Sequence, residues 1–199
     1  MRSATATFEI LTYWQAGSAF GGGARSDSAV HRDADGLPFL PGRTVKGLFR
    51  AASRLGESAR VVPTGFTDEM FGTRAPTRGG DDREADLEAA RFRTTAGALR
   101  FDSGRLPPEW LDWARGANSA HVEQLFTVVS STRIEDGLAD DKTLRADEYV
   151  VPMGLLARVS GPDDEGWVDA LDHCGRLFIR NLGHRRNRGF GRVSVRVKR

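Results

Sequence analysis

"GLPFLPGRTVKGLFR", Gly36 to Arg50, is the stretch around which the rest of the chain can be organised. Two prolines and a glycine halt an apolar, strand-like piece, and a helix begins at once. From about Thr44 to Leu55 the residues Val45, Leu48, Phe49, Ala52 and Leu55 recur at helical spacing and predict one buried face. Lys46, Arg50 and Arg54 fall at i, i+4 and i+8, a basic stripe opposite it. Gly47 lies beside that stripe, although a mid-helix glycine costs roughly 1 kcal/mol against alanine. A bare backbone there suits a phosphodiester chain laid across the helix; packing of Gly47 against a neighbouring strand is the alternative. The Pro41–Gly42 turn is expected to leave the helix N-terminus open to an anion.

Working outward, Ala6 to Trp14 alternates as a strand, with Phe8, Ile10, Thr12 and Trp14 on one side. Ala16 to Gly36 carries too much Gly, Ser and Asp for a regular element and reads as a long loop of the functional kind. About 72 to 95 reads as a flexible, acidic insertion. "GALRFDSGRL" (Gly97 to Leu106) is a strand and turn, and "PPEWLDWARG" (Pro107 to Gly116) a short helix opened by its prolines. Glu123 to Ile134 is β-rich, Glu135 to Glu148 a polar excursion, and Tyr149 to Gly161 a returning strand. Pro162 to Gly183 is the second clear helix, with Trp167, Leu171, Cys174 and Phe178 inward and Gly183 as its stop. "HRRNRGFGR" (His184 to Arg192) is a tight basic loop before a last strand, Val193 to Arg199. Two helices, each with a single apolar stripe, both fit one face of one sheet. That is an α+β, ferredoxin-like plan, and the 199 residues suffice for a single domain.

A chain that is 39% hydrophobic and 9% aromatic can bury a real core. Its net charge is only +2, yet its pI is near 9.0, so the basic residues should gather on one face. The lone cysteine, Cys174, permits no internal disulfide and no thiolate zinc site. There is no apolar run of membrane-spanning length, and the N-terminus does not read as a secretory signal; the expectation is a cytoplasmic protein without a membrane partner.

The charge does gather. From His173 to Arg199 there are nine Arg and Lys and no Asp or Glu. Glycines let the loop at the centre of this run bend, while its arginines present forked donors to phosphate. Its spacing matches neither the dinucleotide nor the P-loop fingerprint. A long, bent polyanion fits it better than a nucleotide. In a ferredoxin-like fold this loop and the first helix can lie near each other and face one RNA groove.

The residues also carry a family resemblance. "GLPFLPGRTVKGLFR" resembles the signature of the RAMP superfamily of CRISPR-associated proteins, a Pro-x-x-Pro-Gly turn opening a helix with a Lys-Gly pair. "GHRRNRGFGRV" resembles that superfamily's glycine-rich C-terminal loop. "GALRFDSGRL" and "STRIEDGLADDKTLRADEYVVPMG" look like stretches of backbone subunits in type III (Csm- and Cmr-like) effectors. The resemblance implies a modified RNA-recognition-motif sheet with a thumb-like hairpin, here about 133 to 148. It implies antiviral defence in a cytoplasmic ribonucleoprotein complex. The partners implied are a CRISPR guide RNA, a complementary target RNA, other RAMP subunits and a large effector subunit. RNA contacts are implied at Arg43, Thr44, Lys46, Gly47, Arg50, Arg133, His184, Arg185, Arg186, Asn187, Arg188, Gly189 and Gly191.

In the target-cleaving subunits a loop aspartate cuts RNA with a divalent metal, and its sequence context is Asp-Ser-Pro-Val. Here "DSAVHRD" runs from Asp27 to Asp33, so the resemblance makes Asp27 the catalytic and metal-holding residue, with Mg²⁺ as the metal. Ala29 replaces the proline, and Gln15 stands where that family has a histidine. A non-catalytic assembly or capping subunit is the alternative. On chemistry alone Asp27, Asp33 and Asp35 also read as turn and solubility residues, and His31 as a solvated loop histidine. Trp110 and Trp113 suit core packing as well as base stacking. His173 and Cys174, adjacent on a helix, do not face one site.

Overall fold

The structure, a computed structural model, describes residues 1–16, 29–73, 94–116, 119–132, 134–135, 138–139, 145–164 and 166–199. At 134–135 and 138–139 only the backbone is described. The main sheet joins β1 (Arg2–Ile10), β2 (Arg100–Phe101), β7 (Gly154–Gly161) and β8 (Val193–Lys198). Its order is β2-β7-β1-β8, with every neighbour antiparallel. Helices α1 (Gly42–Ser58) and α4 (Gly166–Phe178) complete a β-α-β-β-α-β circuit, the expected ferredoxin-like arrangement. The shorter α2 (Phe66–Phe71) and α3 (Pro108–Arg115) flank it. A second, two-stranded sheet pairs β3 (Phe126–Ser131) with β6 (Arg145–Val150), and between them β4 (Ile134–Glu135) pairs with β5 (Leu138–Ala139).

One face of the main sheet is apolar because its strands alternate. Ala4, Ala6, Phe8 and Ile10 of β1, Leu155, Ala157 and Val159 of β7, and Val193, Val195 and Val197 of β8 are all buried. Both helices close that face. Phe8 meets Phe49 of α1 edge to face at 6.0 Å, and Phe49 stacks on Phe101 at 5.8 Å. The buried stripe of α1 is Val45, Phe49, Ala52, Ser53 and Gly56, while Leu55 is 53% exposed. Ser53 and Gly56 belong to it because α4 lies so close: a Cβ on Gly56 would stand 2.7 Å from the Cys174 Sγ. Burial pushes the Cys174 thiol pKa up, so this cysteine is a packing residue. His173, its neighbour, is exposed.

Several element boundaries differ from the sequence reading. β1 ends at Ile10, not Trp14. Trp14 crosses to the second sheet, exchanging backbone hydrogen bonds with Val150 at 3.1 and 2.8 Å. Tyr149 to Gly161 is not one strand: Pro152 has no N–H for a ladder, and the chain changes sheets there. α4 stops at Phe178, five residues before Gly183, because the chain then turns back on itself, with Leu182 N–H on Gly191 O and Val193 N–H on Arg180 O. Trp110 and Trp113 pack against the core and against each other at 5.5 Å. No helix among the described residues is long and apolar enough to cross a membrane. The acidic insertion at 74–93 and most of the excursion at 133–144 lie outside the described residues.

Candidate nucleic-acid interface

Strand directions decide what can meet. β1 and β2 run toward one end of the sheet, and β7 and β8 run away from it. α1 therefore begins at that end and α4 finishes there. So the start of α1, the loop 179–192, the segment between β1 and α1, and the 102–153 excursion all converge on one end. The two basic elements singled out in the sequence are brought together by topology.

At the start of α1 the expected open anion site is closed. Gly42 N–H donates to Ser103 Oγ at 3.1 Å, and Thr44 and Val45 N–H both donate to Pro41 O. The glycine is there for a close approach: a Cβ on Gly42 would lie 2.6 Å from Phe101 O. The Pro-Gly turn thus docks the helix against β2. One turn later the surface opens. Arg43 and Gly47 are exposed, Thr44 and Lys46 half-buried. Nothing lies within 4 Å of where a Gly47 Cβ would be, so this glycine does not pack on a strand. Arg50 turns elsewhere. Its side chain is only 12% exposed, donates to Gly72 O at 2.6 Å, and lies 3.8 Å from Asp68. It ties α1 to the end of α2 and leaves the outer basic stripe.

The loop after α4 is pinned at its base and open at its tip. Gly183 and Gly191 have φ of +80° and +68°, and a Cβ on either would collide with backbone, of Gln15 and Leu182 respectively. His184 N–H donates to Gln15 O at 3.1 Å and Gly191 N–H to Tyr13 O at 2.8 Å. Gln15 itself is buried under the loop. Arg185 does not point outward. It is 14% exposed, pairs with Asp147 of β6 at 2.7 Å, and donates to Ser131 Oγ of β3 at 2.7 Å. Beside that pair Phe190 packs on Tyr149, ring centroids 4.5 Å apart, and burial pushes the Tyr149 hydroxyl pKa up. His184, Arg186, Asn187, Arg188 and Gly189 are exposed, with Arg186–Arg188 forming a 3₁₀ turn. These are the side chains that can reach a polyanion.

The segment before α1 is held by a network that the sequence reading did not find. Arg32 binds Glu123 at 2.6 Å and Glu148 at 2.7 Å, and its guanidinium sits 3.5 Å over the Phe126 ring. Burial works against its charge, but the hydrogen bonds to Glu123 and Glu148 outweigh it and raise the pKa. Glu148 also accepts Val30 N–H at 3.0 Å. Asp33 caps its own turn through Asp35 and Leu37 N–H and meets Arg105 at 3.0 Å. Asp35 accepts from Arg115 Nε and Nη2 at 2.7 and 2.8 Å, and this contact lowers its pKa. The turn reading of Asp33 and Asp35 therefore holds. His31 lies against Phe39, ring centroids 5.6 Å apart. Asp27 and Arg133 lie outside the described residues. No group of three or more His, Cys, Asp or Glu able to hold a metal occurs among the described residues.

Comparison places this architecture. The family described as the RAMP superfamily matches residues 7–194. A cryo-EM structure of the type III-B Cmr-beta complex bound to cognate target RNA contains a chain of similar fold. It has a TM-score of 0.62 and 11% identity, covering 99% of this chain and 97% of that one. A chain in the apo state of Cmr-beta gives a TM-score of 0.62 at 12% identity, over 98% and 96% of the two chains. No curated protein sequence matches significantly.

Proposed function

The chain belongs to the RAMP superfamily, and from that premise we propose that it is a guide-RNA-binding backbone subunit of a type III CRISPR ribonucleoprotein effector. The observation that carries this is the convergence at one sheet end of an α1 surface (Arg43 and Gly47 exposed, Thr44 and Lys46 half-buried) and an exposed loop tip (His184, Arg186, Asn187, Arg188, Gly189). A ferredoxin-like neighbour in a complex bound to target RNA supports the same reading. Lys and Arg supply charge-assisted bonds to phosphate, and the bare helix at Gly47 lets a backbone approach without a side chain between. Guide recognition here is recognition of a strand's backbone. A complementary target RNA, further RAMP subunits and a large effector subunit are its partners. Asp27 is the catalytic element of the proposal. A Mg²⁺ ion held there would supply neutralisation of the charge that develops as target RNA is cut.

The test is purification of the protein from its host with sequencing of the RNA that accompanies it. A set of spacer RNAs sharing one repeat-derived 5′ end is the expected result. Lys46→Glu with Arg186→Glu should lose most of that RNA. It should also flatten the dependence of log K on log salt by about 0.7 for each phosphate contact removed from a single strand. A random RNA mixture, or a guide set unchanged in the double variant, refutes the reading.

Gly47→Ala separates folding from binding at the same spot. With open space around the new methyl group, the variant should be more stable by about 0.5–1 kcal/mol in thermal melts. Guide RNA affinity should nevertheless fall. A more stable protein with unaltered affinity would show that no strand crosses the helix there.

A further inference from the structure

A second basic surface begins at the base of the same loop, apart from its tip and from the exposed face of α1. Along the free edge of β8, facing α4, two adjoining concavities of about 540 and 380 Å³ share Arg176, Arg180 and Ser194 in their walls. His173 and Arg196 complete the first and Arg192 joins the second. No residue of 183–191 lines either one. The walls contain no carboxylate and no ring other than His173. Asp172, on α4 beside the groove, gives one oxygen to Val197 N–H at 2.8 Å and has the other 3.7 Å from Arg176. Arg176, Arg180, Arg192 and Arg196 are all exposed. Four guanidinium groups held this close repel one another, and an anion in the groove relieves that repulsion.

We propose that this groove holds the phosphodiester backbone of a single-stranded RNA segment, independently of the site at the sheet end. Two observations select that occupant. The β8 edge is poorly suited to a peptide strand: of its outward N–H groups, Val193 is occupied by Arg180 O at 3.0 Å and Val197 by Asp172. What the groove offers is side-chain charge. In addition, Arg176 lies in the last turn of α4 with Arg180 just beyond its end, and Arg192 and Arg196 stand either side of Ser194 at the start of β8, so the charge is spread along a track and not gathered round a point. With His173 the one ring in walls otherwise lined by arginines and aliphatic or small polar side chains, recognition is chiefly of the backbone.

The experiment uses the full chain and a 12-nucleotide oligouridine carrying 4-thiouridine. Its affinity is measured between 50 and 200 mM salt, and crosslinked peptides are identified by mass spectrometry. Arg176→Glu/Arg180→Glu/Arg196→Glu is compared with the same three positions changed to Lys, and with Lys46→Glu/Arg186→Glu. Crosslinks to peptides spanning His173 to Arg180 are expected in the wild type and in Lys46→Glu/Arg186→Glu. They should persist with the lysines and vanish with the glutamates. Loss of three contacts lowers the salt slope by about 2, so wild-type affinity should fall roughly 20-fold further than the triple-Glu affinity over that salt range. Because these side chains are exposed, the variants should melt with the wild type. Crosslinks confined to residues 43–47 and 184–189, with oligouridine affinity unaltered by the triple-Glu change, would overturn the proposal. It would equally be overturned if the triple-Glu variant kept its RNA and lost self-association instead, since the occupant would then be an acidic segment of a second copy.

Discussion

Asp147→Ala should lower stability by about 3–5 kcal/mol, although Asp147 lies on the small two-stranded sheet and not on the main one. Its carboxylate is 8% exposed and is the ionic partner of Arg185, itself 14% exposed. Removing it leaves a guanidinium out of water with Ser131 Oγ as a neutral partner. Replacing both residues with Leu should cost much less, because an apolar pair of similar volume leaves no buried charge behind. Denaturant titration checks this: the midpoint should fall sharply for Asp147→Ala at unchanged slope and recover in the double variant. The pair also fixes the basic loop to the β3–β6 sheet. Asp147→Ala should therefore weaken RNA binding through the loop's position. Arg188→Ala, at an exposed position, should weaken binding while leaving the midpoint where it is. If Asp147→Ala were stable and bound RNA normally, the loop would owe its position to its glycines, its backbone hydrogen bonds and the Phe190–Tyr149 contact.

The parts of this molecule that were legible in the sequence are those with a local signature. The stripe of Val45, Phe49 and Ala52 and the alternation of Phe8 and Ile10 each follow from a backbone period. Together with two helices, they were enough for the ferredoxin-like plan. What escaped were contacts between distant residues of ordinary type. Arg32 and Glu148 are 116 residues apart, and Arg185 and Ser131 are 54 apart. No period links them, and each alone resembles a solvated charge. Ser53 and Gly56 were missed for a related reason: small residues become core only when a second helix presses against them. The open reading of the α1 N-terminus failed because its cap, Ser103, comes from the strand-turn 61 residues on. The basic groove on β8 was visible only as a run of nine cations. Folding divides that run among an inward clamp, an outward loop tip and an edge.

That division matters for how the proposed interface works. A loop rich in arginine and glycine has no reason to hold one shape, since its charges repel and its glycines are permissive. Here one arginine turns inward to Asp147, two glycines seat the base, and Phe190 packs on Tyr149. The remaining side chains are thereby presented already ordered, which reduces the entropy lost when an RNA strand is gripped. Arg32 does the same for the segment before α1, joining it to β6 and to the 3₁₀ turn that bears Glu123. Arg32, five residues after Asp27 in the chain, is thus a fixed point among the described residues.

Asp27→Ala is expected to reduce target-RNA cleavage by about 10²–10⁴-fold while guide loading stays at the wild-type level. The resemblance of "DSAVHRD" to the aspartate context of the target-cleaving subunits is what points to this residue. Asp33 and Asp35, the described carboxylates nearest to it in the chain, are ion-paired with Arg105 and Arg115. Asp27 is the remaining aspartate between Gln15 and Gly36 apart from these two. Asp27→Asn is the sharper variant. It keeps the size and a carbonyl oxygen but removes the charge, so cleavage should drop nearly as far. The assay is cleavage of a guide-complementary RNA by the assembled complex, with Mg²⁺ and with chelator. The wild type in chelator should fall to the level of Asp27→Ala, and chelator should add nothing to the variant's defect. Should Asp27→Ala and Asp27→Asn cleave at wild-type rate, the chain would be a binding and assembly subunit, with its RNA interface intact and its chemistry supplied by a neighbour.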